Sequence, residues 1–70
     1  MPYVRIQTWP GHSEEQKKSL AQAVQDDVAR CFAIDPGWVT VGIEEVTPVD
    51  WDEKVVRPEI EAKPETIYIL

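Results

Sequence analysis

The second residue, Pro2, heads a short β-type segment, Tyr3-Val4-Arg5-Ile6-Gln7-Thr8. Initiator methionine is commonly trimmed before a small residue or proline. Trimming Met1 would leave Pro2 as a free secondary amine at the head of a strand. Proline costs a hydrogen bond inside a sheet but is at home at a strand start. Its missing N–H does no harm there, and its ring nitrogen can act as a base or a nucleophile. A retained Met1 would instead make that nitrogen a tertiary amide with no basicity. Other reactive side chains are sparse. One histidine, His12, and one cysteine, Cys31, allow neither an internal disulfide nor a metal-ligand cluster. Glu44 and Glu45 fall on a predicted strand, where acidic residues read as a solvated or edge face.

The elements that must position Pro2 follow from patterning. In the first strand Val4, Ile6 and Thr8 point one way and Tyr3, Arg5 and Gln7 the other. Trp9-Pro10-Gly11-His12 breaks it with a Pro-Gly turn. Ser13 and Gln16 then form a capping box, with Glu14 and Glu15 in the first turn of a helix. Leu20, Val24, Val28 and Phe32 recur with helical spacing, widened by Ala21, Ala23 and Cys31, and predict a core-facing stripe. Lys17, Lys18, Gln22, Gln25, Asp26 and Arg30 fill the polar side. Cys31 beside the stripe reads as a small buried residue rather than a reactive thiol.

Asp35-Pro36-Gly37 ends the helical region, and a second strand is predicted over Trp38–Val46. Val39, Val41 and Ile43 share one face; Trp38, Thr40, Gly42 and Glu44 share the other. Gly42 reads equally as a bulge or as a point of close approach by another chain or a ligand. Strand, amphipathic helix and strand predict a βαβ unit with parallel strands. Asp50 and Glu53 suggest a second capping box opening a short helix that holds Trp51 and Val55 and is limited by Pro58. Residues 63–70 look like an extended, apolar arm that needs a docking surface.

The chain of 70 residues is read as one domain, 1–70, of α/β (α+β) class. A chain this short buries only about 60% of its unfolded surface, so its own core is marginal. With disulfide and metal unavailable, oligomerisation is the remaining support, and the 43% hydrophobic content leaves surface for it. One helix covers one face of the sheet; a second copy is the simplest cover for the other. The net charge of −6 argues against a nucleic-acid partner. No apolar run approaches the ~20 residues of a membrane span, and no export signal is visible at the start. A soluble, cytoplasmic protein without membrane association is the expectation.

These pieces resemble the 4-oxalocrotonate tautomerase-like enzymes. The resemblance rests on Pro2 heading a strand, on Gly11-His12-Ser13-Glu14-Glu15-Gln16-Lys17 opening a helix, and on the strand Gly42-Ile43-Glu44-Glu45-Val46 followed by Trp51. The stretch from Trp51 through Pro58-Glu59-Ile60 to Lys63-Pro64-Glu65-Thr66-Ile67-Tyr68 is similar to a longer, often dimeric subgroup. The resemblance implies a β-α-β fold and a cofactor-free, metal-free enol–keto proton transfer on a small carbonyl acid, with Pro2 as general base. Homo-oligomers are implied too, a dimer first and a hexamer second. It also implies an aromatic wall at Trp51, with Tyr3, Trp9 and Trp38 as further lining candidates. Well-known members hold a dicarboxylate with two arginines. The corresponding positions here carry His12 and Thr40, neither of which offers a bidentate guanidinium. Arg57 is a candidate to reach the site across an interface, with a surface ion pair as its simpler use. A smaller or more aromatic enol therefore suits this chain better than a dicarboxylate. Two alternatives stand beside this reading: a hydratase, dehalogenase or decarboxylase using the same proline, and a non-catalytic oligomeric binding module of the same fold.

Overall fold

A computed structural model describes all 70 residues, Met1–Leu70. Strand β1 (Tyr3–Thr8) leads to helix α1 (Glu14–Phe32), strand β2 (Thr40–Glu45) and a short helix α2 (Pro48–Trp51). The two strands pair in parallel with continuous register from Tyr3↔Thr40 to Thr8↔Glu45. The β-α-β unit and its parallel strands are as the patterning predicts. Gly42 sits in unbroken register opposite Arg5, so it is not a bulge. The Arg5 and Tyr3 side chains lie over it at ordinary contact distance.

The capping box at the start of α1 forms as predicted. Gln16 N–H donates to Ser13 Oγ at 3.1 Å, and Ser13 N–H donates to Gln16 Oε1 at 2.9 Å. The helix ends on Ala33, whose φ of 56° and ψ of 50° are left-handed. Its buried face differs from the predicted stripe. Leu20 and Phe32 are 44% and 67% exposed, and Cys31 is exposed, not buried. Each four-residue step overshoots a helical turn by about 40°, so Leu20 and Phe32 lie about 120° apart around the axis. The face that meets the sheet is Ala21, Val24, Val28 and Ala29, joined by two residues expected on the polar side, Lys17 and Gln25. Gln25 Nε2 donates to the Pro36 carbonyl at 2.9 Å, which ties the helix to the following turn.

Three further boundaries differ from expectation. Trp38 lies in a 3₁₀ turn, Pro36–Trp38, not in the strand. Asp35 caps that turn by accepting from Gly37 N–H at 2.8 Å, and Val39 N–H closes it onto the Pro36 carbonyl at 3.0 Å. The second helix starts at Pro48, with Thr47 as its cap and no Asp50–Glu53 capping box. Proline's fixed φ suits the first helical position, and this sets the cap three residues before the predicted one. Pro58 does not stop the helix, which runs on as a π-helix over Asp52–Glu61. In an α-helix the proline ring would strike the carbonyl four residues back. The wider π turn aims carbonyls five residues ahead, as when Ala62 N–H meets the Arg57 carbonyl at 3.0 Å. A 3₁₀ turn, Pro64–Thr66, precedes the C-terminal residues, of which Tyr68, Ile69 and Leu70 are almost fully exposed.

The core is small. Only Ala29, Val39, Val46 and Val55 are buried. The accessible surface is 5533 Å², against about 4,450 Å² for a compact chain of this mass. The radius of gyration is 13.5 Å, against about 11 Å for a compact chain of this length. The uncovered face of the sheet carries a polar ladder. Arg5 Nε donates to the Tyr3 hydroxyl, its guanidinium lies 3.5 Å from Glu44, and Gln7 donates to Glu44 at 2.9 Å. No helix is long and apolar enough to cross a membrane.

Candidate active site

Pro2 sits one residue before β1, where it needs no N–H of its own. Its carbonyl accepts from Thr40 N–H at 3.1 Å, which extends the parallel ladder by one rung. Strand alternation puts Pro2 and the buried Val39 on the helix side of the sheet. Met1 precedes it, 93% exposed and outside the sheet. Loss of Met1 therefore sacrifices no packing.

Two of the residues predicted to bind substrate lie at this end of the sheet. Thr40 is bonded to Pro2 through its backbone, and the half-exposed Trp38 closes the turn just before it. Nearby, between α1 and β2, lies a hollow of about 360 Å³ lined by Lys18, Ala21, Gln22, Gln25, Val39 and Val41. Several of its polar groups are already engaged: Gln22 donates to Gln25 and Asp26, and Gln25 to Pro36.

The other predicted residues are elsewhere in the protomer. His12 follows the far end of β1, six residues beyond Pro2 at Thr8. At about 3.3 Å per residue that separates the two strand ends by about 20 Å. Trp51 follows the same far end of β2 and is half-buried in α2. Arg57 lies on the π-helix, exposed. It makes no ion pair, contrary to the simpler expectation, whereas Arg5 and Arg30 are tied to Glu44 and Asp27. One protomer thus joins Pro2 to Thr40 through the backbone, with Trp38 two residues before it, and keeps His12, Trp51 and Arg57 at the far end or on the second helical segment.

A second concavity surrounds His12. It is lined by the apolar Ile6, Leu20 and Ile43 and by Thr8, His12, Gln16 and Lys17. Lys17 is held at 3.3 Å by both Glu14 and Glu45. These hydrogen bonds, that to Glu14 foremost and that to Glu45 next, raise the lysine pKa above its ordinary value. Apart from His12, none of these lining residues was foreseen. Lys17 and Glu45 meet only because the parallel register puts Glu45 on the helix side, a relation that local spacing does not reveal.

The fold, the leading proline and the order of elements define a class. Residues 2–58 match the family model described as Tautomerase enzyme. The chain is also 31% identical over 51 residues to the probable tautomerase RSp1151 of Ralstonia nicotianae (strain ATCC BAA-1114 / GMI1000), an alignment covering 73% of this chain and 78% of the relative. The chain belongs to the tautomerase family.

Proposed function

We propose that the protein is a cofactor-independent tautomerase that interconverts enol and keto forms of a small carbonyl acid, such as an aryl pyruvate. Pro2, N-terminal once Met1 is removed, is the general base. The observation that carries this reading is the position of Pro2: the family match begins at this residue, and Thr40 holds its carbonyl at 3.1 Å.

The nitrogen lone pair takes the enol hydroxyl proton, and the resulting ammonium returns a proton to the carbon of the enol double bond. Nothing is oxidised or reduced. A base at neutral pH works best with a pKa near that pH. A free α-amino group titrates at about 8, and partial removal from water lowers it further. The proline ring fixes the direction of the lone pair, which a flexible amine would not.

The working unit is a homo-oligomer, a dimer first. The surface excess over a compact chain, about 1,100 Å², exceeds the ~800 Å² that each partner contributes to a standard interface. Tyr68, Ile69 and Leu70 supply exposed apolar surface for it. In such an assembly His12, Trp51 and Arg57 of one copy approach Pro2 of another, and Arg57 brings a guanidinium free of carboxylate partners. With Thr40 and His12 in place of arginines, a monoacid fits better than a dicarboxylate.

Intact mass of the purified protein, before and after reductive trapping with an aldehyde, tests the central requirement. Loss of one methionine and labelling at Pro2 are expected. Retained Met1 with no labelling there would refute the proposed base.

A further inference from the structure

One side chain of α1 reaches the peptide unit that holds Pro2. Gln25 is half-buried on the helix face that meets the sheet. Its Nε2 donates to the Pro36 carbonyl at 2.9 Å and to the Val39 carbonyl at 3.4 Å. The amide is held the right way round, because Gln25 Oε1 accepts from Gln22 Nε2 at 3.1 Å. Both donors of the amide are thus committed to backbone carbonyls.

The Val39 carbonyl and the Thr40 N–H belong to one planar trans peptide, so they point to opposite sides of β2. The N–H faces β1 and donates to the Pro2 carbonyl at 3.1 Å. The carbonyl faces the free edge of this two-stranded sheet and meets Gln25. One rigid plane is therefore held from both edges. The bonds from Gln25 through Val39–Thr40 to Pro2 form a chain in which each polarises the next. The 3₁₀ turn braces it, since Val39 N–H closes at 3.0 Å onto the same Pro36 carbonyl that Gln25 holds. The proline ring fixes the nitrogen relative to its own Cα. Rotation about the Cα–C bond is then the freedom that aims the lone pair, and the bond from Thr40 sets that rotation.

We propose that Gln25 is a positioning residue for the Pro2 base, acting through the single Val39–Thr40 peptide, an inference that rests on the role proposed for Pro2. Without the side-chain donor the peptide plane is free to tilt, and the lone pair loses its fixed direction. The basicity of the nitrogen and the contacts to substrate stay as they were. The signature is a lower kcat at unchanged KM, with the rising limb of the pH–rate profile at unchanged pH.

Gln25→Met in the mature full chain tests the proposal, by turnover of an aryl pyruvate and by amide hydrogen exchange. The Thr40 N–H should exchange about tenfold faster or more. The Val46 N–H, bonded to the Thr8 carbonyl at the other end of the ladder, should be unchanged and reports that the variant is folded. The kcat should fall about tenfold, since small misplacements of a reacting group are costly, with KM within about twofold. Should the variant not fold, Gln25→Asn keeps the amide but is one methylene too short to span to Val39, and the same losses are expected. Unchanged Thr40 exchange, unchanged kcat, a loss confined to KM, or a moved pH limb would each overturn the proposal. Pro2→Ala run in parallel separates the two claims. A fully active Pro2→Ala removes the base and this inference with it; a crippled Pro2→Ala beside a normal Gln25→Met removes this inference alone.

Discussion

The Thr40 N–H donates to the Pro2 carbonyl at 3.1 Å, one rung beyond the register that pairs Tyr3 with Thr40. At the other end, Val46 N–H donates to the Thr8 carbonyl at 2.8 Å. The ladder thus outruns both strands, and a backbone hydrogen bond anchors the residue carrying the proposed chemistry. Its nitrogen remains free to be uncovered by loss of Met1 while its carbonyl is fixed. The direction of the ring then follows from the sheet.

The end of α1 offers a test of the local backbone. Ala33 has a left-handed φ of 56°, a conformation that favours glycine. Ala33→Gly should stabilise the chain by about 0.5–1 kcal/mol, read as a higher urea midpoint at unchanged slope. No change or a loss would show that the cap geometry is wrong.

Lys17 predicts a pH dependence with a definite sign. Its pKa is raised in the fold by hydrogen bonds to Glu14 and Glu45. A raised pKa means that the folded state holds the proton more tightly. The stabilisation is complete below the ordinary lysine value of about 10.4 and is lost as pH rises through the higher folded value. Chemical denaturation from pH 9 to 12 should therefore show a stability loss that Lys17→Met reduces. An unchanged alkaline slope in the variant would remove Lys17 as its source.

Trp51 and Arg30 separate the proposed pocket from the outer face of α1. Arg30 pairs with Asp27 one helical turn away, both exposed. Arg30→Ala should leave aryl-enol turnover within about twofold, since exposed pairs of this kind are worth little. Trp51→Ala should lower kcat/KM by about tenfold or more, through loss of an aromatic wall. A crippled Arg30 variant beside a normal Trp51 variant would move the pocket elsewhere.

The C-terminal residues test the assembly. Removing Tyr68–Leu70 deletes three residues that touch little of their own chain. In a monomer this would leave mass and thermal stability unchanged. In the proposed oligomer it should raise the dissociation constant measured by sedimentation and lower a concentration-dependent Tm. A monomer at micromolar concentration in the unaltered protein would contradict any site built across copies.

Much of this architecture was legible in local pattern. Alternation in Val4-Arg5-Ile6-Gln7 and in Val39-Thr40-Val41 marked both strands, and Ser13 with Gln16 marked the start of α1. Parallel pairing followed from the helix between them, and it set Thr40 beside Pro2. Three features escaped because they depend on geometry beyond local spacing. A four-residue repeat drifts around the helix, so Leu20, Cys31 and Phe32 turned outward while Lys17 and Gln25 turned in. Pro58 limits the length of an α-helix, but the segment widens into a π-helix that tolerates it. The cleft at His12 draws on β1, β2 and α1 together, and the Lys17 that lines it pairs with Glu45, distant in sequence. Pro2 stood out early because its chemistry depends only on its place before a strand.

The most direct measurement is the pH–rate profile of enol–keto conversion of an aryl pyruvate by the mature protein and by Pro2→Ala. The unaltered protein should show a limb that rises through one group near neutrality, that of the proline nitrogen. Pro2→Ala should keep the fold, lose about 10²–10⁴ in kcat/KM, and shift or abolish that limb, since a flexible primary amine is a poorly aimed base. Full activity in Pro2→Ala, or in protein that still carries Met1, would show that Pro2 only begins a strand.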